Sequence, residues 1–122
     1  MMSENIEEYL ERGLYGTQET KQAERKYFLT ALRERIEIAL TKGQVMKPTV
    51  YKEVETTITN VQSGQVFLNG TISYSFLSKY IQIANKHNVP FTIVQNLEAD
   101  TDIGLVVTGS KGSTENEIFI KN

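Results

Sequence analysis

The sequence predicts an α+β fold, one mixed sheet with helices packed on it. Three observations lead there. Residues 64–94 read as strand, loop, helix, strand. Residues 33–40 alternate apolar and polar side chains, the period of a half-buried strand. A third apolar run, residues 103–108, is bounded by turn-forming residues.

The elements follow in chain order. Residues 3–12 form a short amphipathic helix. Ser3 can cap it, acids fill its first turn, and Ile6, Tyr9 and Leu10 make an apolar stripe. Gly13 and Gly16 end it, and residues 18–29 read as a second helix with Ala23, Tyr27 and Phe28 on one side. Residues 1–30 are thus expected to be a helical extension to an α+β core at 33–121, within a single domain spanning 1–122.

In residues 33–40, Ile36, Ile38 and Leu40 alternate with Arg35, Glu37 and Ala39. Leu32, Ile36, Ala39 and Leu40 also fit a helix face. The β-branched residues and the Lys42-Gly43 turn favour a strand. Pro48 suits the first turn of a helix. Val50, Val54, Ile58 and Val61 then fall on one face of that helix, which ends near Ser63-Gly64.

Residues 65–68 form a short apolar strand. Ser73 sits where the next helix needs its N-cap, and Phe76, Leu77, Tyr80, Ile81 and Ala84 line that helix's buried side. The helix ends at His87-Asn88, because Pro90 forbids continuation. Residues 91–94 are the next strand, parallel to 65–68 through a right-handed crossover. Residues 103–108 are a strand, 109–113 a turn, and 117–120 a final edge strand.

Composition narrows the function classes. The chain has 122 residues, 39% hydrophobic and 23% charged, as expected for a soluble globular protein. With no cysteine it can form no disulfide, thiolate metal site, iron–sulfur cluster or cysteine nucleophile. The N-terminus is acidic and lacks a secretory apolar run, and no stretch approaches the ~18 apolar residues of a membrane span. A cytoplasmic protein with no membrane contact is the expectation. Net charge is −2, which argues against general nucleic-acid binding. The charges are uneven, however. Lys42, Lys47, Lys52, Lys79 and Lys86 face only Glu53 and Glu55 in the middle of the chain, whereas both ends are acidic. A solvated mixed surface explains this pattern most simply, and a local preference for anions is the alternative.

Longer strings carry a resemblance. GLYG at 13–16, RERIEIALTKGQV at 33–45, LNGTISYSFLSKYIQIANKHNVPFTIV at 68–94 and GLVV at 104–107 resemble the YueI-like family of small bacterial proteins. The likeness covers roughly residues 13–121, and the long central string is its specific part. It implies a Bacillus chorismate mutase-like α+β arrangement and a Gram-positive cytoplasmic setting. It brings no catalytic residue with it.

A more distant similarity concerns residues 47–94, which look like the core of L7Ae/L30e-like RNA-binding domains. The turn Lys86-His87-Asn88-Val89-Pro90 carries part of that likeness. Those domains grip kink-turn RNA with a Gly-x-Asn-Glu motif at the start of the first helix. This chain keeps Val50-x-Lys52 but has Pro48 and Thr49 where the asparagine and glutamate belong.

The best candidate site is the loop Asn69, Gly70, Thr71, Ile72, Ser73. It leaves the carboxyl end of a strand and enters a helix N-terminus, where free N–H groups and the helix dipole suit an anion. Asn69, Thr71 and Ser73 add polar groups, Gly70 lets a ligand approach the backbone, and Tyr74 can stack. A tight Asn-Gly turn followed by a Ser73 cap explains the loop without any ligand, and is the simpler account. The loop lacks the glycine spacing of a Walker or dinucleotide motif.

Arg33 and Arg35 offer a second candidate. On a strand they share a face and can clamp a dicarboxylate or phosphate. Ion pairs with nearby acids are the plainer reading. His87, the only histidine, sits where it suits a helix C-terminal dipole. Phe76 and Tyr80 are spaced for the core rather than for base stacking. Asp100-Thr101-Asp102 lacks the glycine and glutamate of a calcium loop and reads as a solvated turn.

The sequence therefore favours a non-catalytic binding or interaction domain, for RNA or a ribonucleoprotein, with no cofactor and no metal. A protein partner and self-association are both open to it. The alternative is a protein or enzyme that binds a small anionic metabolite at the 69–73 loop with Arg33 or Arg35.

Overall fold

A computed structural model describes residues 27–95, 101–110, 112 and 118–120. The helix expected at 3–12 lies outside them, as does most of that expected at 18–29. Leu29 and Thr30 both adopt positive φ, 56° and 76°, which ends any helix reaching them.

The described elements are a 3-10 turn Arg33–Arg35, strand β1 Ile36–Thr41, helix α1 Lys42–Val45, helix α2 Lys52–Asn60, strand β2 Gln65–Asn69, helix α3 Tyr74–Lys86, strand β3 Phe91–Val94 and strand β4 Ile103–Thr108. The strands form a four-stranded sheet in the order β1-β4-β2-β3. β4 runs antiparallel to both β1 and β2, and β2 runs parallel to β3. The sheet is mixed, as expected, and the fold is α+β.

β4 is central and buried along its whole length, which explains its unbroken apolar run. Val66, Leu68, Leu105 and Val107 pack on one face with α2 and α3 through Val54, Ile58, Leu77, Tyr80 and Ala84. Ile36, Ala39, Ile103 and Val106 pack on the other face with Phe28, Leu29 and Ile118. Beyond the outer edge of β1, Phe119 pairs with Ala39 through a single parallel bridge. Residue 117, the start of the edge strand expected there, lies outside the described residues.

Two expectations need correction. Residues 33–35 are not strand but 3-10 turn, and β1 begins at Ile36. The helix expected from Pro48 begins at Lys52, with Tyr51 as its N-cap. Tyr51 stays extended because its N–H donates to the Tyr80 hydroxyl at 3.1 Å. Thr49 and Val50 before it are β-branched and favour extended backbone. One element was not expected. Thr41 and Gln44 form a reciprocal capping box that starts α1 where a plain turn was read.

α3 ends as its sequence predicts. His87 is the C-cap and Asn88 takes φ 59°. The Val89 and Asn88 N–H groups donate back to Ala84 and Asn85, a Schellman closure with asparagine in the left-handed position.

Candidate functional site

The 69–73 loop lies at the carboxyl ends of β2 and β3, entering α3. Its polar atoms are largely engaged inside the protein. Asn69 is fully buried, and its amide donates to the Ile103 carbonyl at 2.9 Å. Its carbonyl oxygen accepts from the Thr71 N–H at 2.8 Å and from the Thr71 hydroxyl at 2.6 Å. The Gly70 N–H donates to the Val94 carbonyl. A Cβ on Gly70 would sit 2.6 Å from that same oxygen, so glycine is needed for the approach of β3, not of a ligand.

Ser73 occupies the N-cap position, but its hydroxyl makes no capping hydrogen bond. Ser73, Tyr74 and Ser75 are exposed. What the loop still offers is the first-turn N–H groups of α3 with these outward side chains.

The arginines are elsewhere. Arg33 is half-buried and Arg35 exposed, on a turn with about three residues per revolution, so they do not share a face. They precede Ile36, which pairs with Thr108, and Thr108 pairs with Gln65. Asn69 lies at the other end of β2. The strand length between Gln65 and Asn69 alone is on the order of 13 Å. Arg33, Arg35 and the 69–73 loop therefore build no common pocket.

A different grouping emerges around α1, α2 and α3. The Lys79 ammonium donates to the Val45 carbonyl at 2.7 Å and the Phe76 carbonyl at 2.8 Å. It lies 5.1 Å from the Tyr80 ring centre and 5.8 Å from that of Phe76. Burial lowers its pKa from the usual lysine value. Lys47 lies 5.9 Å from the ring centre of Tyr51, whose N–H holds the Tyr80 hydroxyl. Lys47 and Lys52 are exposed, and Met46 beside them is 43% exposed. Two lysines thus meet three aromatic rings where the α1–α2 connection crosses α3. The sequence signal is Lys47 followed by Tyr51 and Lys52, of which the last two fall inside the helix predicted from Pro48.

The remaining candidates are structural. The His87 ring nitrogen Nε2 is 3.3 Å from the Thr59 hydroxyl and 3.9 Å from a Glu55 carboxylate oxygen, joining α3 to α2. Thr101 is buried rather than solvated, because its hydroxyl donates to the Tyr27 carbonyl and accepts from the Ile103 N–H. Among the described residues no group of three or more His, Cys, Asp or Glu is placed to hold a metal. No described helix is long and apolar enough to cross a membrane.

The family described as "Protein of unknown function (DUF1694)" matches residues 3–119. The chain belongs to the DUF1694 family. A DUF1694 relative, the "Uncharacterized protein YueI" of Bacillus subtilis (strain 168), is 39% identical over 122 residues, which is all of this chain and 92% of that protein. The crystal structure of the YueI protein from Bacillus subtilis superposes with a TM-score of 0.81 at 40% identity, covering 96% of this chain and 91% of that one. The YueI-like resemblance and the α+β class both stand on these matches.

Proposed function

We propose that this DUF1694 protein is a non-catalytic binding domain whose partner is RNA, held at the surface formed by Lys47, Tyr51, Lys52 and Lys79. The observation that carries the reading is the Lys47 ammonium, 5.9 Å from the Tyr51 ring centre at the start of α2, beside the exposed Lys52. Ammonium groups supply phosphate contacts, and aromatic faces accept bases with little sequence preference. Helix, strand, helix and strand follow one another from α2 to β3, the order found in L7Ae/L30e-like domains. In those domains the start of the first helix grips RNA, and here that position carries Val50, Tyr51 and Lys52. Pro48 and Thr49 replace the kink-turn readers, so the recognition proposed is of backbone and stacked bases, not of a kink-turn.

The test is fluorescence anisotropy with a single-stranded and a stem-loop RNA over a range of salt. Wild-type protein should bind with a salt-dependent affinity. The double variant K47E/K52E should bind at least about ten-fold more weakly, with a salt slope shallower by about one unit per lysine lost. Absence of binding at low salt, or binding indifferent to both substitutions, contradicts the proposal.

A further inference from the structure

A polar cleft of about 400 Å³ opens on the opposite end of α2 from the lysines. Glu37 and Val61 line it together with the polar residues Thr56, Thr57, Asn60, Gln62 and Ser110, and the Thr57 hydroxyl donates to the Glu53 carbonyl. We propose that this cleft binds an alkylammonium ligand, a small linear polyamine, with its cationic nitrogen on Glu37.

The backbone is shaped around that carboxylate. Ile36 pairs with Thr108 and Ile38 with Val107, so Glu37 is the extra residue of a bulge in β1. Bulges re-aim a side chain out of the regular pleat. The Glu37 side chain lies across Gly109, where a Cβ would sit 2.8 Å from its Oε2 and 2.5 Å from Val61 Cγ2. Gly109 is itself fixed by its N–H bond to the Arg35 carbonyl, and Ser110 by its bond to Gln62. Just past the lining residues Val61 and Gln62, Ser63 takes φ 53° and a Cβ on Gly64 would overlap Val61.

The charge favours a cation. No lysine, arginine or histidine lines the cleft among the described residues. Asn60 is the last residue of α2, where the helix dipole is negative and terminal carbonyls lack intrahelical partners. Glu37 has no hydrogen bond or ion pair with another side chain among the described residues. A divalent metal would require several carboxylates, and among the described residues one lines the cleft. An ammonium needs one carboxylate and two or three neutral acceptors, which is the set present. The volume lies at the lower end of the range for small-molecule sites.

The experiment titrates the full chain with putrescine, spermidine and, as an uncharged control, 1,4-butanediol. Calorimetry supplies affinity, and ¹H–¹⁵N spectra supply the location. The expected result is amine binding, with shifts concentrated at Glu37, Asn60, Gln62 and Ser110, and no response to the diol. E37Q keeps the shape and should weaken binding about ten-fold or more. G109A should also weaken it by crowding the carboxylate. Amine affinity unchanged in a folded E37Q protein, shifts confined to other surfaces, or no binding at all would overturn the assignment.

Discussion

The Asn69 side-chain amide donates to the Ile103 carbonyl at 2.9 Å, tying the end of β2 to the start of β4 inside the protein. Its other half holds Thr71 by two further bonds. The residue that looks most like a ligand-binding asparagine in the sequence is thus a clamp between strands. Replacing Asn69 by leucine should cost about 2–4 kcal/mol, because a buried carbonyl and an N–H lose their partners. T71A, at an exposed position, should cost about 1 kcal/mol or less. Urea unfolding of both variants checks this. Equal and negligible effects would return Asn69 to the list of ligand-binding groups.

Tyr80 is fully buried, and its hydroxyl accepts from the Tyr51 N–H. Y80F should lose about 1–2 kcal/mol. The pH dependence has a definite sign. Burial is the main cause that raises the Tyr80 pKa above 10.0. The folded state therefore favours the protonated phenol. This contribution is complete below the unfolded value and is lost as pH rises through the folded value. Lys79, lowered by burial, works in the opposite direction, but it is present in both proteins and cancels. The stability gap between wild type and Y80F should be flat to about pH 10 and shrink above it. A gap that widens in alkali would contradict the placement of the hydroxyl.

Two glycines should respond oppositely to alanine. Gly43 is exposed on α1, and the nearest atom to an added Cβ is 4.0 Å away. G43A should stabilise by about 0.5–1 kcal/mol through the unfolded chain's entropy. Gly70 is pressed against the Val94 carbonyl, and G70A should destabilise by about 1–3 kcal/mol. Thermal unfolding of the two variants gives the comparison directly.

Much of this architecture was legible from residue order. β3 and β4 fall where their apolar runs predict, at Phe91–Val94 and Ile103–Thr108. α3 buries Leu77, Tyr80, Ile81 and Ala84 as its periodicity requires and adds Ile83, while Phe76, expected beside them, is half-buried. Local rules failed where a distant partner decides. Arg33 and Arg35 alternate correctly for a strand, but β1 can pair only from Ile36, opposite the end of β4. Pro48 is a good helix starter, yet the long-range bond from Tyr51 to Tyr80 delays the helix. Candidate sites suffered similarly. The 69–73 loop carries the signature of a binding loop, while its bonds to Ile103 and Val94 depend on strands far along the chain. The Glu37 cleft depends on a bulge and on packing around two glycines, which no spacing in the sequence announces.

Under the proposed function, RNA meets the lysine and tyrosine surface and not the helix-entry loop. The most direct measurement is a ¹H–¹⁵N titration of labelled protein with a short single-stranded RNA. Shifts are expected to cluster at Lys47, Tyr51 and Lys52, with Thr71, Ser73 and Tyr74 little changed. Shifts centred on Thr71, Ser73 and Tyr74, or none at any RNA concentration, would contradict it.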